Sequence, residues 1–217
     1  TSSEPVGHYI DSKSGGLSFV FSDLIRTSVP FISYGKIRGS IGQLLNTLNT
    51  YQLNSDYTIG VNQYNGNIVT GVPNNLVDPG LQGATNVEKE IGLEMRFLKN
   101  RVGFNVTYWD RTNKDFPVNV TVTGTTGYTV VSRNAGELAK KGWDVTAFVK
   151  PVQSKNFDWD ISGTWGYLTK NEVVSIFPGI NRLVLSSGAF SGSFAAYSVN
   201  QVGSQWGEMF GGGIKKV

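Results

Sequence analysis

Glu88 to Trp109 reads EKEIGLEMRFLKNRVGFNVTYW, and this stretch decides the fold. Written as an antiparallel hairpin with Lys99-Asn100 at its tip, it sets Phe97 opposite Val102, Met95 opposite Phe104, Leu93 opposite Val106 and Ile91 opposite Tyr108. The alternate pairs are Arg96 with Gly103, Glu94 with Asn105, Gly92 with Thr107 and Glu90 with Trp109. One face is apolar in every pair and the other is polar in nearly every pair. Strand side chains alternate faces, and a one-residue slip would invert them all, so the pattern specifies the register. Asn tolerates the left-handed backbone of tight turns, which suits it to the tip.

The surrounding composition agrees with β structure. The chain of 217 residues holds 27 Gly and 26 aromatic residues (12 Phe, 9 Tyr, 5 Trp), a mixture that suits many strands and turns better than helices. The formal charge of +3 is weakly basic and the only Lys/Arg pairs are Lys140-Lys141 and Lys215-Lys216, so no nucleic-acid partner is expected. The absence of cysteine excludes disulfides, thiolate metal sites and cysteine nucleophiles. No stretch approaches the ~20 apolar residues of a spanning helix.

Outward from the opening hairpin the same alternation recurs. GGLSFVFSD (15–23) puts Leu17, Phe19 and Phe21 on one side, and YGKIRGSIGQ (34–43) does so with Ile37, Gly39 and Ile41, after a connection containing Pro30. A third hairpin is expected over 141–167, turning through 151–155, with Val149 opposite Phe157, Ala147 opposite Trp159, Val145 opposite Ile161 and Trp143 opposite Gly163. Phe148 is the exception on its polar face. Between the hairpins lie long regions, 44–85, 111–136 and 175–217, of which Phe116–Thr123 is read as strand continuing beyond the main sheet. Connections of this length are functional or disordered. Short turns therefore gather at one end of the sheet and long loops at the other.

Alternation alone favours the commoner soluble answer, a β-sandwich whose apolar faces cover each other. Three features favour a membrane barrel. Ten residues, Glu88 to Phe97, rise about 23 Å at ~3.3 Å per residue and a tilt near 45°, close to the ~25 Å apolar band of outer-membrane barrels. Aromatic residues cluster at both ends of the apolar faces: Phe97 and Phe157 near the short turns, Tyr108, Trp143, Trp165 and Tyr167 near the long loops. Short turns segregated from long loops are also a barrel trait.

The residues then carry a resemblance. EIGLEMRFLKNRVGFNVTYWD, Thr125-Thr126-Gly127-Tyr128, Asn134-Ala135-Gly136-Glu137, Lys141-Gly142, Phe157-Asp158-Trp159 and Asn171-Glu172-Val173-Val174 resemble, in that order, the C-terminal barrel region of SusC/RagA-type, TonB-dependent outer-membrane transporters of Bacteroidetes. FVFSDLI (19–25), ISYGKIRGSIGQ (32–43) and GSQWGEMFG (203–211) are similar to flanking pieces of that family. Asp78-Pro79-Gly80-Leu81 departs from the family's fuller lead-in, which holds a Trp. The resemblance implies an all-β fold, an incomplete antiparallel transmembrane β-barrel of about six long strands in three hairpins. It implies residues 1–217 of a longer transporter, without plug domain, TonB box or closing C-terminal strand. It also implies import of oligosaccharides or peptides across the outer membrane of a Gram-negative bacterium, a SusD-like surface lipoprotein as partner, TonB acting through the plug, no cofactor and no catalytic role. A soluble, aromatic-rich β-sandwich that binds carbohydrate is the alternative.

On the barrel reading Ile91, Leu93, Met95, Phe97, Val102, Phe104, Val106 and Tyr108 face lipid. Glu90, Glu94, Arg96 and Trp109 face the lumen and are the candidates for ligand contact, against the plainer role of charges cross-paired for register. Asp144, Asp158 and Asp160 are expected to cluster on the same face, as a solvated wall rather than a glycosidase pair. Tyr51, Tyr57, Tyr64 and Tyr128 are available in the loops to stack on solute or on one another. His8, the only histidine, has no partner with which to form a triad or metal site.

Overall fold

All eight cross-strand pairs expected between Glu90 and Trp109 are present in the computed structural model of the chain, which describes residues 12–25, 27–187 and 196–211. His8 lies outside the described residues. In chain order the described strands are β1 (Lys13–Val20), β2 (Ile32–Leu45), β3 (Thr58–Tyr64), β4 (Asn67–Gly71), β5 (Asn75–Val77), β6 (Thr85–Phe97) and β7 (Val102–Lys114). They continue with β8 (Pro117–Thr121), β9 (Val130–Asn134), β10 (Glu137–Gln153), β11 (Asp158–Ser175), β12 (Arg182–Ser187), β13 (Ala196–Gln201) and β14 (Glu208–Gly211). A four-residue helix, α1 (Ser22–Ile25), lies in the first short connection.

The three hairpins form one six-stranded antiparallel sheet in the order β1-β2-β6-β7-β10-β11. The β6–β7 turn is a four-residue loop in which Leu98, Lys99 and Asn100 are all left-handed (φ 53°, 58° and 65°). The Arg101 N–H closes it by donating to the Phe97 carbonyl at 3.0 Å. Long connections leave the opposite end of the sheet, as the spacing predicts.

Register carries the chemistry across all six strands. Phe19, Ile37, Leu93, Val106, Val145 and Trp165 make one row on the apolar face. The next row towards the long loops is Leu17, Gly39, Ile91, Tyr108, Trp143 and Tyr167. The row after that turns charged at Lys89, Asp110, Lys141 and Lys170. Aromatic contacts mark both ends of the apolar band: Tyr108 with Trp143 at 4.8 Å and Trp165 stacked on Tyr167 at 5.6 Å, then Phe97 with Phe104 at 6.0 Å and with Phe31 at 6.1 Å. Among the described residues nothing covers this face, and Phe19, Ile91 and Trp165 are each more than half exposed. Among the described residues no second sheet packs on it as a sandwich requires.

The buried apolar residues lie elsewhere. Val118, Val120 and Ala135 form one cluster and Leu138, Val173 and Ile176 another, with Phe116, Phe177, Ile180 and Leu183 packed against both. Leu138 pairs with Asn113 and Val173, which puts it on the polar side of the sheet at its long-loop end. The long loops therefore fold over the polar face.

One expectation is corrected and a second is sharpened. The β10–β11 register is Val149 with Ile161, Ala147 with Gly163, Val145 with Trp165 and Trp143 with Tyr167, four residues from the expected pairing. A bulge between Val149 and Val152 accommodates Pro151, whose missing N–H suits an irregularity, and the turn moves out to Ser154–Phe157. The slip is even, so every side chain keeps its expected face. Phe116–Thr123 is strand outside the main sheet, as read, over Pro117–Thr121, but it does not run on from β7. Asp115 turns left-handed (φ 54°), and β8 joins β9 in a separate sheet, where β9 also pairs in parallel with β5.

Candidate functional site

The polar face is built on glycines. Arg38 lies over Gly92, Phe148 over Gly103 and Trp109 over Gly142; a Cβ at these glycines would meet those side chains at 2.5, 2.5 and 2.6 Å. Phe148, the apolar exception on this face, is thereby explained: its ring covers backbone that has no side chain of its own. Glu94 accepts from Arg96 at 2.8 Å and pairs with Lys36 at 3.2 Å, and the Arg96 guanidinium lies 5.3 Å from the Tyr34 ring centre. Arg38 donates to Thr107 at 2.7 Å. Arg111 pairs with Glu88 at 2.7 Å and stacks over Trp109 at 5.7 Å.

Glu90, Glu94, Arg96 and Trp109 thus share one face, as read from the sequence. Glu94 and Arg96 form one charged group with Lys36 and Tyr34. Glu90 and Trp109 lie two rows away beside Ser40 and Gly142. Cross-strand pairing of this kind is the plainer role set against ligand contact. The aspartates do not gather. Asp144 sits opposite Gly166, so Asp160, six residues along β11, is about 20 Å away. Asp160 instead pairs with Lys150 at 3.0 Å. The four-residue shift of register separates them. Among the described residues no three His, Asp or Glu side chains could hold a metal ion.

The organised part that sequence reasoning missed is in the loops. Asn134 acts as a clamp. Its Oδ1 accepts from the Gln82 N–H, and its Nδ2 donates to the carbonyls of Gln82 and Asp115, all at 2.6 Å. The first long loop is thus bonded to the second as a strand would be. Asn134→Ala removes three hydrogen bonds at once; about 1–3 kcal/mol of loop docking should be lost, read as earlier proteolytic cleavage between residues 78 and 84. If cleavage is unchanged, the clamp is not what holds the loop.

Beside the clamp, Asp78 accepts from the Gly80 N–H at 2.9 Å and from Arg133 Nε at 2.8 Å. The Gly80 N–H first, and Arg133 second, hold its carboxyl below the usual carboxylate range. A carboxylate depressed in the folded state stabilises fully above its unfolded pKa, near ~3.9, and loses that contribution as pH falls through the folded value. The contact is therefore expected to persist at pH 5 and above and to loosen below about pH 4, measurable as faster amide exchange at Gly80 after correction for intrinsic rates. Asp78→Asn should abolish that pH dependence.

The third long loop returns to the same place. Gly203 N–H donates to the Val173 carbonyl at 2.8 Å, Val173 N–H to the Ser204 carbonyl at 3.0 Å, and Trp206 meets Phe116 edge-on at 5.7 Å. Arg133 lies 5.4 Å from the Phe177 ring centre, which ties the second loop to the third. Tyr57 and Tyr64 are exposed on and beside the projecting β3–β4 hairpin, whereas Tyr128 is half-buried.

Comparison with known proteins agrees with this architecture. Two TonB-dependent receptors of Formosa agariphila match, one 27% identical over 89 residues (41% of this chain, 8% of the relative) and one 30% identical over 92 residues (42% and 9%). The chain therefore spans less than a tenth of the length of these curated relatives. The structure of the RagAB peptide transporter superposes on 88% of this chain and 20% of its own at a TM-score of 0.73 and 19% identity. The RagAB importer in its open-open state gives 0.69 at 18% identity over the same shares. Both show the fold expected for a SusC/RagA-type barrel segment. The model of the family described as TonB dependent receptor-like, beta-barrel, matches residues 6–214. With nearly the whole chain inside that match, it belongs to the β-barrel family of TonB-dependent receptors, proteins of the Gram-negative outer membrane.

Proposed function

We propose that this chain supplies wall strands and extracellular loops of a transporter that imports oligosaccharides or peptides across the outer membrane. The observation that carries the reading is the two-sided sheet. One face is apolar across six strands between aromatic ends; the other is ion-paired and roofed by packed loops. In this reading Ile91, Leu93, Met95, Phe97, Val102, Phe104, Val106 and Tyr108 meet lipid, and the Lys99-Asn100 turn lies in the periplasm. Glu90, Glu94, Arg96 and Trp109 face the lumen along the path of solute. Energy comes from TonB through a plug outside this chain, a SusD-like surface lipoprotein docks on the long loops, and the chain contributes no catalytic group. RagAB, which shares the fold, is itself a peptide transporter, and this supports peptides as one of the two solute classes.

The full-length parent should fractionate with outer membranes and need detergent for extraction. Its uptake of labelled solute should stop when TonB is deleted. Recovery as a soluble monomer would overturn the proposal.

A further inference from the structure

Between the loops that fold over the polar face is a cleft of about 370 Å³, within the size range of small-ligand sites. Phe116, Val118, Val173, Ile176, Leu183 and Trp206 supply apolar walls, and Val173 is fully buried. One polar side chain is sunk among them. Asn200 is only 2% exposed and lines the cleft. Its Oδ1 accepts the Gly207 N–H at 3.0 Å; only the oxygen of the amide can accept there, so the orientation of the amide follows. Its Nδ2 has no hydrogen-bond partner among the described residues. A site built to bond an acceptor discriminates against ligands that lack one.

The chemistry of the walls selects the ligand. A sugar ring carries hydroxyls around its whole edge, and burying each needs a partner; these walls are mainly apolar carbon, with Asn200 the one sunken amide and the exposed Asn119, whose Oδ1 is taken by Ser132, at the edge. An aliphatic or aromatic side chain fits the walls, and a peptide carbonyl adjoining it supplies the acceptor. We infer that this cleft is a subsite for one apolar residue of a peptide, whose backbone carbonyl accepts from Asn200 Nδ2. The inference rests on the transporter reading and narrows its solute class to peptides.

The test uses the full-length transporter in detergent, with end-blocked Gly-Gly-Leu-Gly-Gly, end-blocked pentaglycine and maltohexaose as calorimetric probes. The leucine peptide is expected to bind about tenfold or more tighter than pentaglycine. Asn200→Asp keeps an acceptor for Gly207 but removes the donor; it should weaken the leucine peptide by about tenfold. Val184→Trp, at the half-exposed rim, should block the cleft with at least as large a loss. Heat-modifiable migration on gels verifies that both variants are folded barrels. Absence of leucine-peptide binding, equal binding of the two peptides, or leucine-peptide binding untouched in both variants overturns the inference. So does maltohexaose binding that Val184→Trp abolishes. If TonB-dependent uptake persists while any of these adverse results is obtained, the subsite fails and the transporter reading stands. Failure of the parent to localise to the outer membrane brings down both.

Discussion

Leu93→Arg is expected to cost about 2–4 kcal/mol of barrel stability, the range for a cationic side chain near the bilayer midplane on the lipid face. Leu93 sits mid-row between Ile37 and Val106. The flanking rows, Gly35-Met95-Phe104 and Gly39-Ile91-Tyr108, are equally apolar. The charged row of Lys89 and Asp110 lies beyond the Ile91–Tyr108 row, four residues along the strand and about 13 Å away, farther than an arginine side chain reaches, so snorkelling gives little relief. Thr146→Arg is the control, because Thr146 lies on the polar face in the row of Glu94, Asn105 and Thr164. It should shift stability by no more than ~0.5 kcal/mol. Urea titration of the full-length barrel in lipid vesicles, followed by tryptophan fluorescence, compares the two. Equal effects on the two faces, or normal assembly and stability of Leu93→Arg, would show that the faces are assigned wrongly.

Gly142→Ala has the next largest expected effect, about 1–3 kcal/mol of overpacking. Its added methyl would meet the Trp109 ring at 2.6 Å and the Tyr167 carbonyl oxygen at 2.8 Å. The ring can be removed and the carbonyl cannot. Trp109→Ala in the same chain should therefore restore only part of the loss, and the pair should be non-additive in a double-mutant cycle. Gly103→Ala makes the contrast. Its severe contacts, at 2.5 and 2.7 Å, are with the Phe148 ring, and the backbone contact with the Met95 carbonyl is looser at 3.1 Å, so Phe148→Ala should restore most of its stability. Full rescue of Gly142→Ala by Trp109→Ala would mean that β11 is not packed as closely on β10 as described.

These residues also show where sequence was a sufficient guide. The β6–β7 register was legible because its two faces differ chemically in nearly every pair, so any odd slip would expose the mistake. The β10–β11 register was not, because a slip of four leaves both faces unchanged and periodicity is blind to it. What decides it is local: a bulge at Pro151 and a turn in which Ser154 Oγ accepts the Phe157 N–H at 3.1 Å. The β3–β4 hairpin is legible in its parts: Tyr57–Gln63 alternates, and β3 covers Thr58–Tyr64. Asn65-Gly66, with φ of 48° and 79°, is the dipeptide that a two-residue turn prefers. Alternation put Glu90, Glu94, Arg96 and Trp109 on one shared face, as the structure does, but the pairing of Glu94 with Lys36, on a strand more than fifty residues away in the chain, was not legible. The Asn134 clamp and the loop core are contacts between long loops, and no period within any one loop announces them.

The loop core has a consequence for anyone wishing to transplant specificity between barrels of this kind. Two of its buried residues, Leu138 and Val173, belong to β10 and β11 rather than to the loops they support. A graft cut where the strands end would leave the transplanted loops without their floor, and the recipient's strands would offer side chains shaped for another roof. The exchangeable unit is the loop set together with the strand ends beneath it, and its seams lie inside the sheet.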